Sequence, residues 1–95
     1  MIISTNSELN DFIKEDIFVE TGTILLIKGI TTGTISLSRG SKCILYGVHN
    51  GNVIVKDAVF EIYGILNGSI SDTKASSIRI HQDATINGNH FDLTD

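Results

Sequence analysis

Apolar and polar positions alternate in short bursts along this chain, and a recurring glycine cassette punctuates them. Gly29-Ile30-Thr31-Thr32-Gly33-Thr34-Ile35 is followed by Gly47-Val48-His49-Asn50-Gly51-Asn52-Val53 and then, at a nearly equal step, by Gly64-Ile65-Leu66-Asn67-Gly68-Ser69-Ile70. A weaker copy, Ala84-Thr85-Ile86-Asn87-Gly88-Asn89-His90, comes after a slightly longer step. A repeat this short, built on Gly, Asn and β-branched residues, predicts a solenoid in which each coil buries its apolar edge against the next.

Laying the coils over one another gives columns. Ile27, Leu45, Ile62 and Ile80 form one, and Leu25, Cys43, Phe60 and Ile78 another. Ile30, Val48 and Ile65 follow the first glycine; Ile35, Val53 and Ile70, with Leu37 and Val55, follow the second. Alternation along a strand predicts that these columns point inward. Each Gly-x-x-Asn/Thr-Gly stretch is expected to turn the chain, since Gly accepts positive φ and Asn tolerates it.

Leu9, Phe12, Ile17 and Val19 continue the register backward, but Asp11 and Glu15 replace the cassette glycines. Residues 1–20 therefore read as an N-terminal cap on a solenoid spanning 21–95, with Ser7 capping a short amphipathic helix that carries Leu9, Phe12 and Ile13. Gln82-Asp83 reads as a two-residue insertion, and the pattern fades through Phe91 and Leu93. The expectation is a single all-β domain, a short parallel β-helix of about 17–18 residues per coil. A left-handed hexapeptide helix would need an aliphatic residue at every sixth position, but Ser36 and Lys42 follow Ile30 at that spacing.

The Gly-x-x-x-Gly-Asn-Val/Ile unit, matched by Gly47 to Val53 and nearly by Gly64 to Ile70, resembles that of the bactofilins. The resemblance covers roughly residues 24–90. It implies a short right-handed β-helix and, as one functional expectation, a structural protein that self-assembles end to end without a nucleotide.

Composition supports the β reading, with sixteen Ile and five Val against seven Leu and three Ala. The net charge of −4 is unevenly placed. Residues 1–20 and 57–95 are acidic, whereas residues 21–56 hold Lys28, Arg39, Lys42 and Lys56 with no acid. The acidic balance disfavours nucleic acid as a ligand. The longest purely aliphatic run, Ile24 to Ile27, is far short of a membrane span. Met1-Ile2-Ile3-Ser4 lacks a signal-peptide pattern and Cys43 is alone, so a cytoplasmic location is expected.

Chemistry is sparse. His49, His81 and His90 lack metal-ligand spacing and are expected to pack at the surface; Cys43 is expected to be a small buried hydrophobe. Asp57, Glu61, Asp72 and Asp83 suggest a glycosidase pair only if a cleft exists, and a stack this short lacks the loops to build one. Glu61 sits one coil step before Arg79, which points to a cross-coil ion pair. Neither catalysis nor a cofactor or metal is expected.

The functional signal lies where apolar residues point outward. Leu26, Ile44, Glu61 and Arg79 form one column, and Lys28, Tyr46, Tyr63 and His81 the next; Ile24 and Val59 share that face. An exposed strip of this kind marks an interaction site unless the N-terminal segment folds back over it. The expected function is a non-catalytic protein-binding module, of the kind represented by small immunity or inhibitor proteins. It would act on a protein partner or self-associate, as a monomer or dimer rather than a filament.

Overall fold

The computed structural model describes residues 1–92, with side chains through His90. Every regular element is a strand. The chain opens with β1 (Ile2–Ile3), then makes a first turn of β2 (Ser7–Leu9), β3 (Phe12–Lys14) and β4 (Ile17–Val19). The second turn is β5 (Ile24–Ile27), β6 (Ile30–Thr32) and β7 (Ile35–Leu37); the third is β8 (Lys42–Leu45), β9 (Val48–Asn50) and β10 (Val53–Val55). The fourth is β11 (Val59–Ile62), β12 (Ile65–Asn67) and β13 (Ile70–Asp72); the fifth is β14 (Ser77–Ile80), β15 (Thr85–Ile86) and β16 (His90–Asp92). Each strand pairs in parallel with its counterpart one turn away, which builds three sheets: β1-β4-β7-β10-β13-β16, β14-β11-β8-β5-β2 and β15-β12-β9-β6-β3. The result is a five-turn β-solenoid with about 18 residues per turn.

The register follows the repeat read from the sequence. Leu25 pairs with Cys43, and Cys43 with Phe60, so the predicted column is a true ladder. Ile62 pairs with Ile80 as expected, but Ile65 pairs with Thr85 rather than with Asp83, so Gln82-Asp83 is the inserted turn. Stacking explains the glycine column. A Cβ on Gly47 would strike the Gly29 carbonyl oxygen and lie 2.7 Å from that of Lys28.

The core is a file of Ile, Leu, Val, Cys43 and Phe60 running up the interior, from Ile17 and Val19 through Leu25, Ile27, Ile35 and Leu37 to Ile62, Leu66 and Ile70. No helix forms over Leu9, Phe12 and Ile13. These residues lie in β2 and β3, because each can pair with the coil above, and strand pairing satisfies more backbone groups than an isolated turn of helix. The N-terminal segment is therefore itself a coil. Phe12, expected to cover the next coil, is 70% exposed.

A second correction concerns phase. Ile30 and Ile65 are exposed and Val48 is half-buried, while the next column (Ile13, Thr31, His49, Leu66, Ile86) points inward. The inward residues keep strict alternation through the cassette, from Leu25 and Ile27 to Thr31, Ile35 and Leu37, so Ile30 and its column follow that phase outward despite being apolar. In that phase β6, β9 and β12 bury only their middle residue, whereas β4, β7 and β10 bury their first and third. Ile80, expected inside, is 54% exposed at the last turn, and Ile78 is partly buried. The fading of the pattern at the Phe91 side chain and at Leu93 lies outside the described residues.

Candidate interaction face

The sheet β14-β11-β8-β5-β2 carries the strip. Its strands from β5 onward have four residues, so alternation works: Leu25 and Ile27, Cys43 and Leu45, Phe60 and Ile62 are buried. The intervening residues face out in three columns fixed by the register: Ile24, Lys42, Val59 and Ser77; Glu8, Leu26, Ile44, Glu61 and Arg79; then Lys28, Tyr46, Tyr63 and His81. The last column continues the ladder just past the strand ends, where Tyr46 donates its amide to Ile27, Tyr63 to Leu45 and His81 to Ile62.

Tyr46 and Tyr63 stack with ring centroids 5.1 Å apart and planes 13° apart. His81 adds a third ring 5.1 Å from Tyr63, tilted by 36°. The spacing is close to the distance between neighbouring strands, so the parallel register itself imposes the stack. Tyr46 and Tyr63 remain 48% and 40% exposed, and Leu26, Ile44 and Val59 are half-buried beside them.

Charges border this strip in pairs. Glu61 sits between Lys42 at 3.7 Å and Arg79 at 3.6 Å, the cross-coil pair expected from the sequence, with its residue only 8% exposed. Glu8 lies 3.0 Å from Lys28 and accepts a 3.1 Å hydrogen bond from Asn10. The Asn10 contact, followed by Lys28, holds its carboxyl below the usual range. His81 Nδ1 lies 3.7 Å from Asp83. Shallow grooves flank the strip at both ends, one by Ile24 and Leu26, the other by Tyr63 and Arg79.

The N-terminal segment does not fold over this face. It adds β2 to the sheet edge and extends the face by Glu8. Among the described residues, all seven predicted site residues (Leu26, Ile44, Tyr46, Glu61, Tyr63, Arg79 and His81) lie on one sheet surface.

Two features escaped the sequence reading. Phe12, Ile30, Val48 and Ile65 make a second outward ladder, on the sheet β15-β12-β9-β6-β3. Beside it Asn67 donates to Asn50 at 2.8 Å and Asn87 to Asn67 at 2.7 Å. The second feature is His49, which is fully buried rather than at the surface. Its Nδ1 lies 2.6 Å from the Thr31 hydroxyl, and its Nε2 has no hydrogen-bond partner. Burial lowers its pKa, opposed by the backbone of Asn52 and Gly33. The polar identities of Thr31 and His49 are what disguised this column as outward-facing.

Other titratable groups are dispersed. Asp57, at φ 53°, accepts a 2.6 Å hydrogen bond from Thr73 and lies 3.4 Å from Arg39; the Thr73 bond holds its carboxyl low. Asp72 is 2.7 Å from His90. Cys43 is buried, which pushes its thiol up to about 12. Among the described residues no three His, Cys, Asp or Glu converge as a metal site. The chain matches no family model, no curated protein and no solved structure.

Proposed function

We propose that this protein is a non-catalytic protein-binding module that acts through the exposed face of β2, β5, β8, β11 and β14. Ile24, Leu26, Ile44, Val59, Tyr46 and Tyr63 form one contiguous apolar and aromatic strip on a rigid sheet, rimmed by ion pairs. That observation carries the reading. Tyrosine anchors with a charged rim suit recognition of protein, because a rigid strip binds with little loss of side-chain entropy. Such a module acts by occupying its partner, as a small inhibitor or immunity-type protein does.

Affinity capture with tagged protein, run beside the Tyr46→Ala/Tyr63→Ala variant, tests the reading. Loss of the partner from the variant, with the strand signature in circular dichroism unchanged, supports it. Equal recovery from both proteins overturns the assignment to this face.

A second reading, end-to-end assembly of bactofilin type, draws support from the open strand edges of β2 and β3 at the first turn. The acidic character of residues 1–20 and 57–95 opposes it, since head-to-tail stacking brings like charges together. Electron microscopy of the intact chain separates the two readings. Filaments favour assembly, and their absence favours the binding module.

A further inference from the structure

The strip is complementary to itself. In a two-fold packing of two copies face to face, with the axis along the strands and through β8, each column meets its own counterpart and the order of turns is reversed. Glu8 at the first turn then meets Arg79 of the fifth, twice per dimer. Ile24 meets Val59, Lys28 meets Tyr63, and Ile44 and Tyr46 meet themselves on the axis. Leu26 meets Glu61, whose carboxylate stays held by Lys42 and Arg79 of its own chain. Glu8 and Arg79 have side chains 42% and 72% exposed and already pair within the chain, with Lys28 at 3.0 Å and Glu61 at 3.6 Å. The contact across the two copies therefore joins two existing ion pairs into one network. Lys42 faces its own copy, but each Lys42 already lies 3.7 Å from Glu61 of its own chain. The other two-fold, with the solenoids parallel, places Glu8 on Glu8 and Arg79 on Arg79, so charge selects the antiparallel arrangement.

Resting on the reading that this face binds protein, we infer that its partner is a second copy of the chain, docked antiparallel through the strip. Five strands about 4.8 Å apart, with three outward positions about 6.7 Å apart, give a panel of about 480 Å² per copy. The total of about 1,000 Å² falls just short of the roughly 1,200–2,000 Å² of stable complexes, so the dimer is weak and reversible. A foreign partner must then compete with the second copy for the same residues.

Sedimentation equilibrium between about 10 µM and about 1 mM, a range suited to so small an interface, tests the inference. The intact chain is expected to pass from monomer to dimer. Glu8→Gln and Arg79→Gln should each weaken dimerisation about threefold, and the double variant should be little weaker than either single one, because both remove the same cross-copy contact. Fully additive losses, or no loss from either substitution, overturn the antiparallel pairing.

A geometric check runs independently of stability. Ile44→Cys treated with a short bismaleimide should cross-link to itself, because native Cys43 is buried and unreactive. Glu8→Cys should cross-link to Arg79→Cys and not to itself; self-linking of Glu8→Cys would overturn the arrangement. A chain that stays monomeric but captures a foreign protein through Tyr46 and Tyr63 overturns this inference and leaves the binding reading standing. A dimer unaffected by Tyr46→Ala/Tyr63→Ala places dimerisation on another face and overturns this inference, leaving the binding reading to the capture experiment.

Discussion

Removing the buried polar pair that links the second and third turns should make the protein more stable and less sensitive to acid. His49 is fully buried with Nδ1 bound to Thr31 and Nε2 unpartnered, in a column that the fourth turn fills with Leu66. An unpaired buried polar group costs about 1–3 kcal/mol, whereas the Thr31–His49 bond contributes a net of about 0.5–1.5 kcal/mol. The double variant Thr31→Val/His49→Leu removes both and adds apolar burial, for an expected gain of about 1–2 kcal/mol at neutral pH. In a domain of this size that raises Tm by about 4–16 °C. Thr31→Val alone orphans the second nitrogen and should cost about 1–3 kcal/mol.

The pH dependence has a definite sign. The folded pKa of His49 lies below its ordinary value of 6.5, so the unfolded chain takes up a proton that the folded chain refuses. The stability involved is present above the unfolded pKa and is lost as pH falls below it toward the folded value. The loss is at most about 1.4 kcal/mol per pH unit. Urea melts of parent and double variant at a series of pH values from neutral downward read it directly. His81 and His90 are present in both proteins and cancel in the difference. A double variant less stable than the parent at neutral pH, or one that keeps the parent's full acid slope, would refute the reasoning.

Other expectations follow from the stacking. Gly47→Ala places a methyl against the Gly29 carbonyl and should cost about 2–4 kcal/mol by thermal melt. Ile30→Ser, on the outward ladder, should change stability by less than about 1 kcal/mol, while Leu66→Ala in the inward column should cost about 2–5 kcal/mol. The reverse order in chemical denaturation would restore the original phase assignment. The Cys43 thiol should stay silent toward a chromogenic disulfide reagent at neutral pH until denaturant unfolds the chain, because burial holds it protonated.

The sequence disclosed the coil length, the insertion at Gln82-Asp83 and the columns of the four-residue strands, because two alternating positions in β5, β8 and β11 must both face the core. It misled at β6, β9 and β12. There the single inward residue of each strand continues the alternation of the strand before it, but in two turns that position holds a polar group, Thr31 or His49, beside an apolar neighbour that faces out. The same ambiguity hid the burial of His49 and made Ile30 and Ile65 look like core. The helix expected around Leu9 rested on helical spacing within residues 1–20. Long-range pairing of β2 with β5 and β3 with β6 overrode it. The strip itself was legible, since Tyr46 and Tyr63 fall in register one coil apart, but nothing local could reveal that the N-terminal segment extends the sheet rather than covering it.

The most direct test of the binding face is a methyl NMR titration of dilute, isotope-labelled protein with its captured partner. The account predicts that the methyl signals of Ile24, Leu26 and Ile44 shift or broaden while those of Ile30 and Ile65, on the other ladder, and of buried Ile27 and Ile62 stay in place. Perturbation centred on Ile30 and Ile65, with Ile24, Leu26 and Ile44 unmoved, would contradict it.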